Sequence, residues 1–334
     1  MARGNFQPTE RLLFGAEGGQ LFHRFPLEVG KFLTRVYIIL AGSIVISGGT
    51  TSGAPIGENP GNLVQTVQVD AVSKGGGFRG GKLKNLTARS ILRRRVLDRG
   101  WYVNDDSLGA SGLTGAAGTF TLSQMFPLNF SDPMLQEPYW FDTSFSCDAY
   151  SAAVMTITTG SKAICNPTTD RVWNETGLYF DIYEEAQFPG AYKVVELYED
   201  DRPFVIAAAN TRTPLDGYLP QGEAYLDVLM ITQSTASNNL VDTILNRATW
   251  FAGTEQIMDM YANGIKNVQK RYVFDQGQSM TGLYYTPIDR DGLLGSAVGG
   301  LRAILDVSNP GGAGLDNIII GTRRVAPGSA GAGK

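Results

Sequence analysis

The sequence predicts an all-β protein composed of two tandem β-sandwiches with short helical insertions. Segments that alternate apolar and polar residues recur along the chain, separated by clusters of Gly, Pro, Asn and Asp. Glycine supplies 41 of the 334 residues and only 18% of residues are charged, a composition typical of a turn-rich β protein. The order of these segments in the first half of the chain also recurs in the second half.

Half-buried strands with a period of two are predicted at residues 63–69, 153–158, 178–183, 225–231 and 301–307. Residues 33–46 form a longer apolar run, which we interpret as a strand buried on both faces. Its most apolar part is about half the roughly 20 residues that cross a bilayer as a helix, so no membrane-spanning helix is expected. The first 16 residues lack the apolar core of a secretion signal.

Two stretches predict helices. Ser237 is a suitable N-cap, and apolar residues follow at spacings of four, four and three: Leu240, Ile244, Ala248 and Phe251. We therefore expect a helical insertion over residues 237–270. A weaker helix is expected over residues 83–99, where Ala88, Leu92 and Val96 share one face.

The internal repeat defines the predicted domains. Segments 125–133, 153–160 and 177–186 correspond in order and type to segments 284–292, 303–311 and 316–325. Each series consists of a strand with a proline-containing bend, a long loop, a strand, a Gly/Pro turn and a final strand. We predict an N-terminal base segment at residues 1–16, a first sandwich at 17–188, a second at 189–326 and a flexible tail at 327–334.

Composition excludes several classes of function. Lys and Arg number 28 against 32 Asp and Glu, a net charge of -4, which argues against a protein that binds nucleic acid through its phosphates. One histidine, His23, and two cysteines, Cys147 and Cys165, cannot supply the ligands of a structural zinc site or an iron facial triad. We expect two thiols, a strand position for His23, and no catalytic, metal or cofactor-binding residue.

Two motifs have simple structural explanations. Residues 75–80 (GGGFRG) fit the spacing of a phosphate-binding loop, but the repeated βαβ units of a dinucleotide fold are missing, which favours a surface loop. The arginine cluster comprises Arg93, Arg94, Arg95 and Arg99. It predicts a solvated or intersubunit helix face; a functional role would be pairing with a neighbouring subunit's carboxylates, such as Glu184, Glu185, Asp200 or Asp201.

Acidic and aromatic residues are further candidates for binding or catalytic groups. The acidic groups at residues 105–106, 184–185, 199–201 and 289–291 could supply the paired carboxylates of a glycosidase, but their neighbouring turn residues favour solvated loop tips. The four tryptophans are Trp101, Trp140, Trp173 and Trp250. They could stack sugars, but core or interface positions are favoured.

Several segments, in order, resemble the double jelly-roll major capsid proteins of tectivirus-like, internal-membrane icosahedral bacteriophages. They are VGKFLTRVYIIL (29–40), NPGNLVQTVQV (59–69), MFPLNFSD (125–132), the helical insertion at 237–270 and GLYYTPIDRDGLL (282–294). The resemblance covers residues 20–325 as a pattern of short segments. Residues 1–19 do not resemble the long polar N-terminal arm of some members, so we expect no such arm here.

The resemblance implies two eight-stranded jelly rolls perpendicular to the capsid shell, and a homotrimer with a pseudo-hexagonal footprint that tiles an icosahedral virion. Implied partners are neighbouring capsomers, penton or minor capsid proteins and the internal lipid membrane, with assembly in the host cytoplasm. The base segment would face the membrane or adjacent capsomers through Phe6, Leu12, Leu13 and Phe14. Residues 99–119 and part of 232–278 would form outer towers. No enzymatic activity, nucleic acid or small-molecule substrate is implied.

Two other classes of function remain open from the sequence. A carbohydrate-binding or adhesin-like tandem β-sandwich, such as a virion spike or surface lectin, would expose tryptophans on a concave face. A hydrolase of β-sandwich fold would bring two carboxylates together in a cleft.

Overall fold

The computed structural model describes residues 3–11, 21–27, 32–47, 64–74, 82–94, 97, 118–132, 145–146, 150–160, 172–187, 197–221, 224–234, 239–272, 280–288, 300–312 and 314–325. Within these ranges the strands of the first half are β1 (Arg3–Arg11), β2 (Leu21–Leu27), β3 (Phe32–Ser47), β4 (Val64–Ser73), β5 (Lys82–Thr87), β6 (Gly118–Asn129), β7 (Phe145–Ser146), β8 (Tyr150–Thr159) and β9 (Val172–Gln187). Helix α1 (Ala88–Arg94) follows β5.

The strands of the second half are β10 (Leu197–Ile206), β11 (Asn210–Pro214), β12 (Ala224–Ser234), β13 (Asn239–Leu240), β14 (Leu245–Ala252), β15 (Glu255–Tyr261), β16 (Leu283–Pro287), β17 (Leu301–Val307) and β18 (Asp316–Val325). Helix α2 (Ala262–Gln269) follows β15 and continues into a 3-10 turn at Lys270–Tyr272.

The chain divides into two compact units. Unit 1 comprises Met1–Leu92 and Tyr102–Val194, and unit 2 comprises Arg93–Trp101 and Val195–Lys334. Nothing in the sequence indicated that the short segment Arg93–Trp101 would belong to the second unit. The domain boundaries proposed from the sequence stay a prediction.

Unit 1 is a sandwich of two antiparallel sheets. One sheet has the order β1-β9-β3-β6, with β7 paired to β3, and the other has the order β2-β8-β4-β5. The rings of His23 and Phe25 on β2 pack edge-on against Phe180 of β9, with centroid distances of 5.6 and 6.4 Å. These contacts join the inner faces of the two sheets, as expected for sandwich packing.

Unit 2 has the same architecture. One sheet has the order β10-β18-β12, with β16 and β13 paired to β12, and the other has the order β11-β17-β14-β15. Ile318 and Ile320 of β18 pack against Trp250 of β14 and Leu305 of β17 in one apolar core, which Ile265 of α2 closes. Burial of such large apolar side chains is the main source of stability for the unit.

The two units share one strand connectivity. The order β1-β9-β3-β6 in unit 1 becomes β10-β18-β12-β16 in unit 2, and β2-β8-β4-β5 becomes β11-β17-β14-β15. In each unit the first, last, third and sixth long strands form one sheet, and a helix follows the fifth. The predicted repeat is thereby confirmed, because its three aligned pairs of segments are β6 with β16, β8 with β17, and β9 with β18.

The helix predicted over residues 237–270 is wrong for most of its length. Strands β14 and β15 occupy residues 245–261, and only α2 is helical. The pairing register of β14 shifts between Leu245 and Arg247, and the adjacent residues Ile244 and Leu245 are both buried in the core. The apolar residues of this segment therefore do not follow the period of two expected for a strand, and their spacing resembles that of a helix. The weaker helix predicted over residues 83–99 is partly right. Residues 88–94 form the short helix α1, whereas residues 83–87 belong to strand β5.

Candidate functional site

A polar and aromatic cluster occupies the outward face of the β1-β9-β3-β6 sheet. Arg35 Nε donates to Asn129 Oδ1 at 2.8 Å, and the Tyr37 hydroxyl donates to Glu185 Oε2 at 3.1 Å. The ring of Tyr183 lies 5.7 Å from that of Tyr37. Burial raises the pKa of Tyr37 above its ordinary value. The cluster joins three adjacent strands and presents a flat, hydrogen-bonded surface.

The outward face of the β11-β17-β14-β15 sheet carries paired charges. Arg247 makes a bidentate ion pair with Asp259, and its guanidinium lies 5.4 Å from the ring centroid of Tyr261. Arg302 makes a second bidentate pair with Asp216. The hydrogen bond from Arg247 lowers the pKa of Asp259. Tyr261 is 69% exposed on this face. The charges of the arginine next to it, Arg247, and of Asp259 neutralise each other.

A third group of charged residues is buried in unit 2. Arg94 Nη1 lies 3.1 Å from Asp227 Oδ1, and Arg323 Nε lies 2.5 Å from Glu199 Oε1. Arg93, Arg94, Arg95 and Arg99 were predicted to form a solvated or intersubunit helix face. This prediction is wrong for Arg94, which is buried and pairs with Asp227 of the same chain. The prediction that residues 199–201 form a loop tip is also wrong, because they lie in β10 with Glu199 and Asp201 buried.

Other predicted residues can also be placed. Glu184 and Glu185 lie in β9, with Glu184 buried, so they are not at a loop tip. His23 lies in β2 and Trp250 in the core of unit 2, and both predictions are confirmed. Phe6 lies in β1, where its backbone is in register with Tyr183 of β9.

The remaining predictions fall outside the described residues. They concern Leu12, Leu13, Phe14, Arg95, Arg99, Trp101, Trp140, Cys147, Cys165, the glycine-rich motif 75–80, the acidic groups 105–106 and 289–291, residues 99–117 of the predicted tower 99–119, and the tail 327–334. The last two residues of that tower, 118–119, lie in β6. Trp173 lies in β9. The prediction that part of residues 232–278 forms an outer tower stays a prediction; within this range, residues 245–252 and 255–261 form β14 and β15.

The described part of the chain contains no group of three or more His, Cys, Asp or Glu side chains that could hold a metal ion. Among the same residues, no helix combines the length and hydropathy needed to cross a membrane. On the two outward sheet faces, Arg35, Arg247 and Arg302 each pair with side chains of the same chain.

Solved structures with the same architecture exist. The major capsid protein of Sulfolobus Turreted Icosahedral Virus superposes with a TM-score of 0.67 at 16% identity, covering 100% of both chains. The chain has the double jelly-roll fold. The major capsid protein P2 of Bacteriophage PM2 has a TM-score of 0.58 at 10% identity, covering 97% of this chain and 98% of that chain.

The Faustovirus major capsid protein has a TM-score of 0.51 at 10% identity, covering 97% of this chain and 90% of that chain. No family model matches the sequence, and no curated protein matches it. The double jelly-roll fold is therefore shared with proteins that are only 10–16% identical in sequence to this chain. This structural match confirms the predicted fold class and, at the level of fold, the family resemblance.

Proposed function

We propose that this double jelly roll is the major capsid protein of an icosahedral virus. The observation that carries the proposal is the match over the full length of both chains to the major capsid protein of Sulfolobus Turreted Icosahedral Virus. Both units are included, so the likeness is not to a single sandwich that many unrelated proteins share. The chain acts as a structural subunit of the virion shell, without enzymatic activity.

The assembly unit in this proposal is a homotrimer with a pseudo-hexagonal outline. Two rolls in each of three chains give six similar bodies around a threefold axis, which suits close packing in a shell. The outward sheet faces support this role, because their charges are neutralised by pairs such as Arg247 with Asp259 and Arg302 with Asp216. Each of these arginines has its counterion within the chain, so another subunit can cover the face without burying an unpaired charge.

Light scattering across a dilution series tests the trimer. The expected result is one species at about three times the 36.0 kDa chain mass, with no monomer on dilution, because a capsomer must form before the shell closes. A monomer at all concentrations would contradict the preassembled trimer. It would redirect attention to the alternative function, a glycan-binding protein, which the burial of Trp250 does not favour.

We further propose that residues 1–16 form the base of the capsomer and contact an internal membrane through Phe6, Leu12, Leu13 and Phe14. Three consecutive apolar residues directly after β1 support this placement. The partners are then this membrane, neighbouring capsomers and penton or minor capsid proteins, with assembly in the host cytoplasm.

Flotation of the purified protein with lipid vesicles tests the membrane contact. Replacing Leu12, Leu13 and Phe14 with Ser should reduce co-flotation severalfold. Phe22→Ser is the matched control, since Phe22 is an exposed aromatic on β2, and it should float like the unmodified chain. Equal flotation of the triple variant and the unmodified chain would contradict the contact, as would no flotation of either.

A further inference from the structure

Strand β16 lies at an edge of its sheet. In the described part of the chain it pairs with β12 alone. The Thr232 amide donates to the Gly282 carbonyl at 2.8 Å, and the Ile288 amide donates to the Leu226 carbonyl at 3.0 Å. The backbone groups of the even-numbered residues therefore face β12, and those of residues 283, 285 and 287 face outward. An unprotected strand edge is a template for pairing with another chain.

The side chain of Gln269, the last residue of α2, occupies this outer edge. Gln269 Nε2 donates to the Leu283 carbonyl at 3.1 Å, and the Tyr285 amide donates to Gln269 Oε1 at 2.7 Å. A residue of a neighbouring parallel strand would make the same two bonds with its backbone, to the carbonyl of one residue and the amide two positions further on. The buried Gln269 amide therefore takes the place of one residue of an additional strand.

The two other outward positions of β16 offer no donor to an incoming strand. The Leu283 amide donates to the Met280 carbonyl at 3.2 Å, within a turn of the chain. Pro287, the last residue of β16, has no N–H group. Since the Tyr285 amide is bonded to Gln269, each outward position either has its donor occupied or lacks one. A second strand would have to displace Gln269 to find a donor on β16.

Helix α2 is anchored ahead of Gln269. Ile265, one turn earlier, is buried in the apolar core of unit 2, and Lys266 pairs with Asp242. In the 3-10 turn that follows the helix, the ring of Tyr272 lies 5.2 Å from that of Tyr285. The last turn of α2 thus covers β16 through Gln269 and Tyr272, and substituting these two residues leaves the anchors of the helix in place.

We propose that Gln269 closes the edge of β16 against strand addition by a second copy of this chain. A second copy carries the same edge, so two open β16 strands would pair antiparallel across a twofold axis and join two sheets. In the folded chain the Gln269 amide holds the groups that such pairing needs. Copies of the chain then contact one another through other surfaces. The closure lies within one roll, so its failure would leave the capsid proposal intact.

Hydrogen exchange resolved to single residues on the purified full chain tests whether Gln269 occupies the edge. The Tyr285 amide faces outward, whereas the amides of Tyr284 and Thr286 face β12. We expect all three to be protected to a similar degree in the unmodified chain. In Gln269→Ala, the Tyr285 amide should lose protection by about tenfold or more while the other two keep theirs. Fast exchange at Tyr285 in the unmodified chain would overturn the proposal.

Light scattering across a concentration series tests the closure against a second copy. Gln269→Ala should have a larger mass than the unmodified chain, rising with concentration, and Gln269→Ala with Tyr272→Ala should show a greater increase. Gln256→Ala is the matched control, since Gln256 is exposed on β15, and it should keep the mass of the unmodified chain. Each mass is compared with that of the unmodified chain, so the result does not depend on whether that chain is a trimer.

A folded Gln269→Ala chain whose Tyr285 amide exchanges fast but whose mass equals that of the unmodified chain would contradict the proposal. Gln269 would then only satisfy two hydrogen-bonding groups. Should Gln269→Ala fail to fold, Gln269→Met decides, because Met fills a similar volume without an amide group. Selective loss of protection at Tyr285 in Gln269→Met supports the proposal, and unchanged protection there contradicts it.

Discussion

Glu199 and Arg323 lie directly opposite each other on β10 and β18, with Arg323 Nε 2.5 Å from Glu199 Oε1 and both side chains 2% exposed. Strands β10 and β18 are the first and last long strands of the second roll. A charge-assisted hydrogen bond between buried groups is strong, but it fixes the pairing of these strands more than it adds net stability.

Breaking this pair should be costly. Glu199→Gln is expected to lower the free energy of unfolding by about 3–5 kcal/mol, because it leaves Arg323 charged and buried. The urea midpoint of the purified chain measures the loss. Replacing both partners, Glu199→Leu with Arg323→Met, should recover most of it, and a double variant as unstable as the single one would show that the charges are not the cause.

Gly321→Ala should destabilise the second roll by about 1–3 kcal/mol, because the added methyl group enters space occupied by Asp201 and Arg94. Gly217→Ala is the matched control, since nothing lies within 4 Å of a Cβ atom there. It should leave the urea midpoint nearly unchanged. Equal effects of the two substitutions would argue against the packing above Gly321.

Trp250→Ala should cost about 3–5 kcal/mol, since Trp250 is fully buried in the core of unit 2 and the change leaves a large cavity. Val205→Ala, at an exposed position of β10, should change the unfolding free energy by less than about 0.5 kcal/mol. Thermal and urea unfolding monitored by circular dichroism would measure the unfolding free energies of the two variants. A Trp250→Ala chain as stable as the unmodified one would contradict the core described for unit 2.

The ion pair of Asp259 predicts a pH effect with a defined sign. Arg247 lowers the pKa of Asp259 below its ordinary value of 3.8. The folded-state pKa is depressed, so the stabilisation is present above that ordinary value and is lost as the pH falls through the folded pKa. Carboxyl NMR titration should show the pKa rising in Arg247→Gln and unchanged in Arg302→Gln. An unshifted pKa in Arg247→Gln would rule out this ion pair in solution.

Much of the fold could be predicted from the sequence because its signal is local. The alternation in β8, β9 and β17 places every second side chain in a core, and the closing strands of each roll recur in the same order. The half-buried strand predicted at residues 225–231 is instead buried on both faces in β12. Strand β14 was missed because Ile244 and Leu245 are both buried ahead of a register shift. Two adjacent core residues break the period of two.

The buried charges were missed for a different reason. Acidic residues beside Pro203 predict a turn, yet Glu199 and Asp201 lie on one face of β10, opposite Arg323 and Gly321 of β18. Their pairing depends on two strands more than 100 residues apart, as the separation of Glu199 and Arg323 shows, and no local pattern specifies it.

Electron cryomicroscopy of the purified protein would show whether the chain forms a trimeric capsomer. We expect particles containing three chains, with threefold symmetry and six similar lobes in projection along that axis. Particles that contain a single chain, or that lack a threefold axis with two lobes per chain, would contradict the assignment of this double jelly roll as a capsid subunit.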